Sequence, residues 1–142
     1  MILRVYIAIL LLGVATKVTA SVPDLKGTKE LCHSSAKLFE KGKMKDLADT
    51  LVPHWPINQE EINKLVHQGI SQFELFTFRS GSALGTEFIG TRKAGSSFVM
   101  HTYAIKFEYH AMRYNCIFYK PKNEWVVNTI NWDGKLEPLF NQ

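Results

Sequence analysis

The feature that most constrains this chain is a change of hydrophobic period part-way along it. Before Phe73 the apolar residues recur every three to four positions, and after it they alternate or run in β-branched and aromatic stretches. Leu31, Cys32, Ser35, Leu38 and Phe39 fall on one helical stripe, so a first helix is expected from a cap at Thr28 to about Lys41. Gly42 interrupts it. Met44, Leu47, Ala48 and Leu51 fit a shorter helix ending before Pro53, and His54-Trp55-Pro56 reads as a connection, because a residue before proline is pushed out of helical geometry. Asn58 with Glu61 has the spacing of a capping box and opens a third helix through Ile62, Leu65, Val66, Ile70 and Phe73.

Beyond Phe73, Gly81, Gly85 and Gly90 punctuate four expected strands: about Leu84 to Lys93, Ser97 to Tyr109, Met112 to Lys120 and Glu124 to Trp132. The reversals at His110-Ala111 and at Lys120 to Asn123 are too short for crossovers, so the last three strands form an antiparallel meander. Helices segregated from such a sheet define an α+β fold, with N-terminal helices packed on a curved four-stranded antiparallel sheet. In the second strand Val99, His101, Tyr103, Ile105, Phe107 and Tyr109 share one face, and Phe98, Met100, Thr102, Ala104, Lys106 and Glu108 share the other. Neither face is cleanly polar. The second is expected to be partly covered by the C-terminal tail or by a partner, and a homodimer is one form that partner could take.

The N-terminus sets the compartment. Arg4, the apolar run Val5 to Val14 and the small residues of Val18-Thr19-Ala20 read as a signal peptide cleaved between Ala20 and Ser21. An uncleaved anchor is the alternative, but the apolar run is about half of the roughly 20 residues that span a bilayer. Residues 21 to 142 then form one domain, with no stable membrane anchor, in the periplasm or the extracellular space. Loss of Arg4 and Lys17 leaves a near balance of charge, which removes the case for a nucleic-acid partner. The lysines at 37, 41, 43 and 45 read as a solvated helix face. Cys32 and Cys116 are an even pair in an oxidising compartment, open to two readings: a disulfide, or two separately buried thiols.

Helix, short helix, helix and then a long meander resembles the NTF2-like (cystatin-like α+β cone) superfold. Leu38 to Met44 followed by Leu47-Ala48 looks like the break between its first two helices, and Phe118 to Asn128 looks like its last hairpin, in which a Trp begins the closing strand. More narrowly, Tyr103 to Phe140 is similar to small uncharacterised bacterial secreted proteins of this fold. The resemblance implies a cone whose mouth can hold a small apolar molecule, on a scaffold that hosts isomerases, dehydratases, epoxide hydrolases and many non-catalytic binders.

The chemistry this sequence could bring to such a cone is thin. Asp24, Asp46, Asp49 and Asp133 all fall outside predicted strand interiors, so the Asp-based sets of the enzymes resembled are missing. His101, Tyr103 and Glu87 are the remaining catalytic candidates, the first two projecting from one face as an acid/base and a hydrogen-bond donor. His101, Tyr103, Tyr114, Phe88 and Phe107 are the candidate ligand-binding set. His33, His54, His67, His101 and His110 lack metal-ligand spacing, and no phosphate loop, nucleophile elbow or QxVxG inhibitor wedge is present, so neither metal nor cofactor is expected. The expected function is therefore an exported, non-catalytic module that binds a small apolar ligand or a protein partner. The alternatives are a cone-pocket enzyme, or an envelope or immunity-type interaction factor binding through the outer sheet face. Trp55, Trp125 and Trp132 are either packing residues or anchors of a protein-binding patch.

Overall fold

The computed structural model describes residues 20–141. The signal-peptide reading, apart from Ala20 at its cleavage site, lies outside those residues. The described chain has three α-helices followed by four strands: α1 (Leu25–Glu40), α2 (Met44–Leu51), α3 (Gln59–Ser80), β1 (Ala83–Ala94), β2 (Phe98–Phe107), β3 (Ala111–Tyr119) and β4 (Val126–Asp133). Short 3-10 helices follow α2 at Val52–His54 and β4 at Glu137–Phe140. No described helix is long and apolar enough to cross a membrane.

The start of α1 corrects the sequence reading. Asp24 is the cap, its Oδ1 accepting from the Gly27 N–H at 2.7 Å, while Thr28 lies a turn inside the helix and donates its hydroxyl proton to the Leu25 carbonyl at 2.7 Å. Cys32, Ser35, Ala36 and Phe39 form the buried stripe of this helix. The chain then turns sharply through Gly42 at φ +68°, where an added Cβ would stand 2.8 Å from the Phe73 ring. Asn58 caps α3 as its spacing predicts, accepting from the Glu61 N–H at 2.9 Å.

Helix α3 runs past Phe73 to Ser80 and ends where Gly81 takes φ +82°. The sequence Leu75-Phe76-Thr77-Phe78 looks β-like, but it stays helical because Phe76 still finds a core partner. Its ring meets Phe107 at 4.8 Å, one turn beyond the Phe73–Phe107 contact at 6.0 Å. The expected strands all form, each within two residues of its predicted start.

The sheet is a plain antiparallel meander in the order β1-β2-β3-β4, with β1 and β4 as open edges. Register shifts lie between Ala83 and Gly85 and between Phe88 and Gly90 in β1, and between Ile117 and Phe118 where β3 meets β4. Such bulges increase local twist and let a sheet curve around helices. Before α1, Val22 adds one antiparallel bridge to Trp125, with both backbone hydrogen bonds made at 2.7 and 2.8 Å.

The core lies between the helices and the inner sheet face. Phe39 is wholly buried there, with Trp132, Tyr114 and Phe73 rings around it at 4.9, 5.5 and 5.8 Å. Full burial of a side chain this size stabilises a fold by about 1.5–3 kcal/mol. On the outer face, Thr102 donates to Asn115 at 2.8 Å and Asn115 donates to Asn131 at 2.9 Å, a polar ladder across three strands. Thr102, Ala104 and Asn115 are buried, so the middle of this face is closed. Two ion pairs flank it, Arg113 with Asp133 at 2.5 Å and Lys106 with Glu87 at 3.7 Å. Burial alone would raise the Asp133 pKa, but hydrogen bonds from Arg113 and the Lys135 amide outweigh it and hold it below the usual value.

Candidate functional site

The sequence-predicted site residues fall into a buried group and a surface group. His101 sits mid-β2 on the inner face, 2% exposed, opposite Thr91 of β1 and Cys116 of β3. Its Nε2 is 2.8 Å from the Thr28 hydroxyl and its Nδ1 2.8 Å from the Thr91 hydroxyl. Thr28 already donates to the Leu25 carbonyl, so its oxygen accepts from Nε2–H and the Thr91 hydroxyl donates to Nδ1. That is the neutral imidazole. Burial, reinforced by the nearby Lys29 charge, lowers its pKa from 6.5 to about 4. Both ring nitrogens are committed within the fold, which leaves neither for a substrate.

Tyr103 and Tyr114 are equally embedded. The Tyr103 hydroxyl donates to the Lys29 carbonyl at 3.4 Å, and burial pushes its pKa up to about 12. The Tyr114 hydroxyl donates to Ser35 Oγ at 2.9 Å, and Ser35 passes its own proton to the Cys32 carbonyl at 2.8 Å. Burial raises the Tyr114 pKa far above its ordinary value, against the smaller effect of the Ser35 bond. No buried side-chain nitrogen or oxygen among the described residues lacks a partner. The polar atoms of this interior thus satisfy one another.

Cys32 and Cys116 form a disulfide joining α1 to β3, with Cα atoms 5.8 Å apart. Both cysteines are fully buried, with the His101 carbonyl near Cys32 Sγ and the Ser35 hydroxyl near Cys116 Sγ, and of the two readings open from sequence the covalent one holds. The disulfide lies inside the core and has no exposed edge.

The other candidates point elsewhere. Phe107 is buried against Phe73 and Phe76. Phe88 is 40% exposed, with its ring 5.3 Å from Tyr103 and the Lys29 ammonium 3.7 Å above it. Glu87 lies across from Ala104 and pairs with Lys106, on the face opposite His101 and Tyr103. The structure therefore does not bring the three catalytic candidates together. Trp55 and Trp125 are buried and Trp132 packs on Phe39, so the tryptophans are packing residues. Among the described residues no group of three His, Cys, Asp or Glu side chains could hold a metal ion.

What sequence reading missed is the end of the fold where α3 hands over to the sheet. Phe78 is 89% and Tyr109 82% exposed, with Leu84 and Leu75 at 64% and 50%. Backbone bonds hold their segments together: Tyr109 N–H donates to the Ser80 carbonyl at 3.0 Å and Glu108 N–H to the Ser82 carbonyl at 3.2 Å. A signal was available, since Leu75 and Phe78 lie off the stripe of Ile62, Val66, Phe73 and Phe76 once the helix is continued to Ser80.

No protein-family model and no curated protein sequence matches the chain. Among solved structures it is similar to a DUF4783 family protein from Bacteroides ovatus, at 12% identity and a TM-score of 0.42, over 72% of this chain and 93% of that one.

Proposed function

We propose that this protein is an exported, non-catalytic, NTF2-like module that binds a protein partner through the apolar end formed by α3, β1 and the β2–β3 turn. The observation that carries the proposal is the exposure of Phe78 and Tyr109 on neighbouring, hydrogen-bonded segments. Large aromatics in water at one end of a small domain are the kind of residue that anchors protein interfaces. Export accounts for the buried Cys32–Cys116 disulfide, which belongs to an oxidising compartment. The order of helices followed by a meander supports the NTF2-like reading of the architecture. Committed hydrogen bonds at His101, Tyr103 and Tyr114 weigh against the cone-pocket enzyme, and the closed middle of the outer face weighs against an interface centred there.

A photo-crosslinking amino acid placed at Phe78, with the protein produced in its native compartment, tests the proposal. A discrete protein adduct is expected at position 78 and none at Lys122, which lies on the far loop. Phe78→Ala with Tyr109→Ala should weaken partner binding by about 2 kcal/mol or more, roughly thirtyfold, without moving the thermal midpoint. An adduct of twice the chain's own mass would make the partner a second copy. Equal adducts at both positions, or none at 78, would remove the reading.

A further inference from the structure

The opposite end of the sheet holds a cleft of about 780 Å³, formed by three segments distant in sequence. They are the entry to α1, the turn between β1 and β2, and the loop between β3 and β4. Backbone bonds fasten them: Lys120 N–H donates to the Ser97 carbonyl at 2.8 Å, and Val22 and Trp125 exchange their two. The cleft has an apolar floor that includes Phe98 and Trp125, and Lys26, Lys93 and Lys120 stand around it.

Three lysines from three segments give the lining of this cleft one sign of charge, and little among the lining residues offsets it. Asp24 is the one carboxylate among the lining residues, and it is engaged in capping α1. Lys26 reaches Glu30 only as an exposed pair at 3.8 Å, an arrangement of small worth. Lys93 and Lys120 have no carboxylate partner among the described residues. The Lys120 ammonium instead lies over the Trp125 ring at 5.1 Å. Small-molecule sites combine this range of volume with a mostly apolar lining and a few polar groups that fix orientation. A cleft lined by one sign of charge also concentrates ions of the other.

We propose that this cleft binds a small organic anion, a carboxylate or sulfonate carried on an apolar ring. The ammonium groups of Lys93 and Lys120 hold the anionic group, Lys26 adds to the field, and the exposed face of Phe98 takes the ring. The site is separate from the Phe78 end, so either can fail without the other.

The probe is 8-anilinonaphthalene-1-sulfonate, with the uncharged N-phenyl-1-naphthylamine as its control, followed by fluorescence and by amide shifts in two-dimensional NMR. Saturable binding of the sulfonate is expected, with the largest shifts at Lys26, Gly95 and Asn123, and the neutral compound should shift these amides far less. Lys93→Gln with Lys120→Gln should weaken sulfonate binding roughly ten- to a hundredfold, and salt should weaken it in the wild type. Lys93→Gln alone, at an exposed position, should lose part of the affinity if the double variant folds poorly. The proposal is overturned by shifts confined to the Phe78 and Tyr109 region, by undiminished binding in the lysine variants, or by equal binding of the neutral compound.

Discussion

Replacing Cys32 and Cys116 together by alanine gives the sharpest quantitative test of how this fold is held. The two residues are 84 apart in sequence, so the disulfide closes most of the domain into a single loop. In the chain-entropy treatment, denying the unfolded chain that loop's freedom is worth about 15 cal/mol/K, or about 4.6 kcal/mol at 25 °C. Domains of this size have roughly 5–15 kcal/mol in all, so the loss takes a third of the stability or more. With about 2.1 cal/mol/K of unfolding entropy per residue, it corresponds to a fall of roughly 18 °C in midpoint. The assay is guanidinium denaturation of wild type and double variant, fitted for both midpoint and slope. Because the effect acts through the unfolded state, the slope should rise in the variant as that state expands and exposes more surface. A loss below about 1.5 kcal/mol with an unchanged slope would refute the entropic reasoning.

Two further outcomes follow from the interior and its turns. His101 has a folded-state pKa of about 4 against an ordinary 6.5, so its neutral form carries the stability. That contribution is complete above pH 6.5 and is withdrawn as the pH falls to 4, by at most about 1.4 kcal/mol per pH unit. Wild-type stability measured across this interval should fall more steeply than that of His101→Gln, and parallel curves would show that His101 is not the group responsible. Gly42→Ala meets both a positive φ and the Phe73 ring at 2.8 Å, and should cost about 1–3 kcal/mol by thermal melting; a change under about 0.5 kcal/mol would mean that the turn relaxes freely.

The fold class was legible because burial imposes period. The stripe through Cys32, Ser35 and Phe39 and the alternation of His101, Tyr103, Ile105 and Phe107 each mark the side facing the core. Boundaries were less legible where two residues compete for one role. Asp24 and Thr28 are both good caps, and tertiary contact decides between them, since Thr28 is drawn inward to His101. The end of α3 was hidden because Phe76 and Phe78 suit a strand as well as a helix, and only Phe107, far along the chain, settles the choice. The candidate site fared worst for a related reason. Alternation does place His101 and Tyr103 on one face, but it carries no information on whether their polar atoms find partners. Those partners, Thr28, Thr91 and the Lys29 carbonyl, come from other elements. The register shift between Phe88 and Gly90 puts Glu87 on the face opposite His101, and such bulges leave no mark in simple alternation.

The bridge between Val22 and Trp125 bears on when this protein can fold. A chain made from its N-terminus delivers Val22 long before Trp125. The disulfide spans a similar stretch, and β4 is the last of the four strands in chain order. Native contacts of such long range form slowly, since the intervening chain must be closed into a loop first. The edge strand that completes the sheet, and the loop that Val22 seals, are therefore both missing while the helices and the first three strands are already present. A chain built in this way cannot complete its sheet before β4 is present, and its last contacts are the ones that the intervening chain makes slowest.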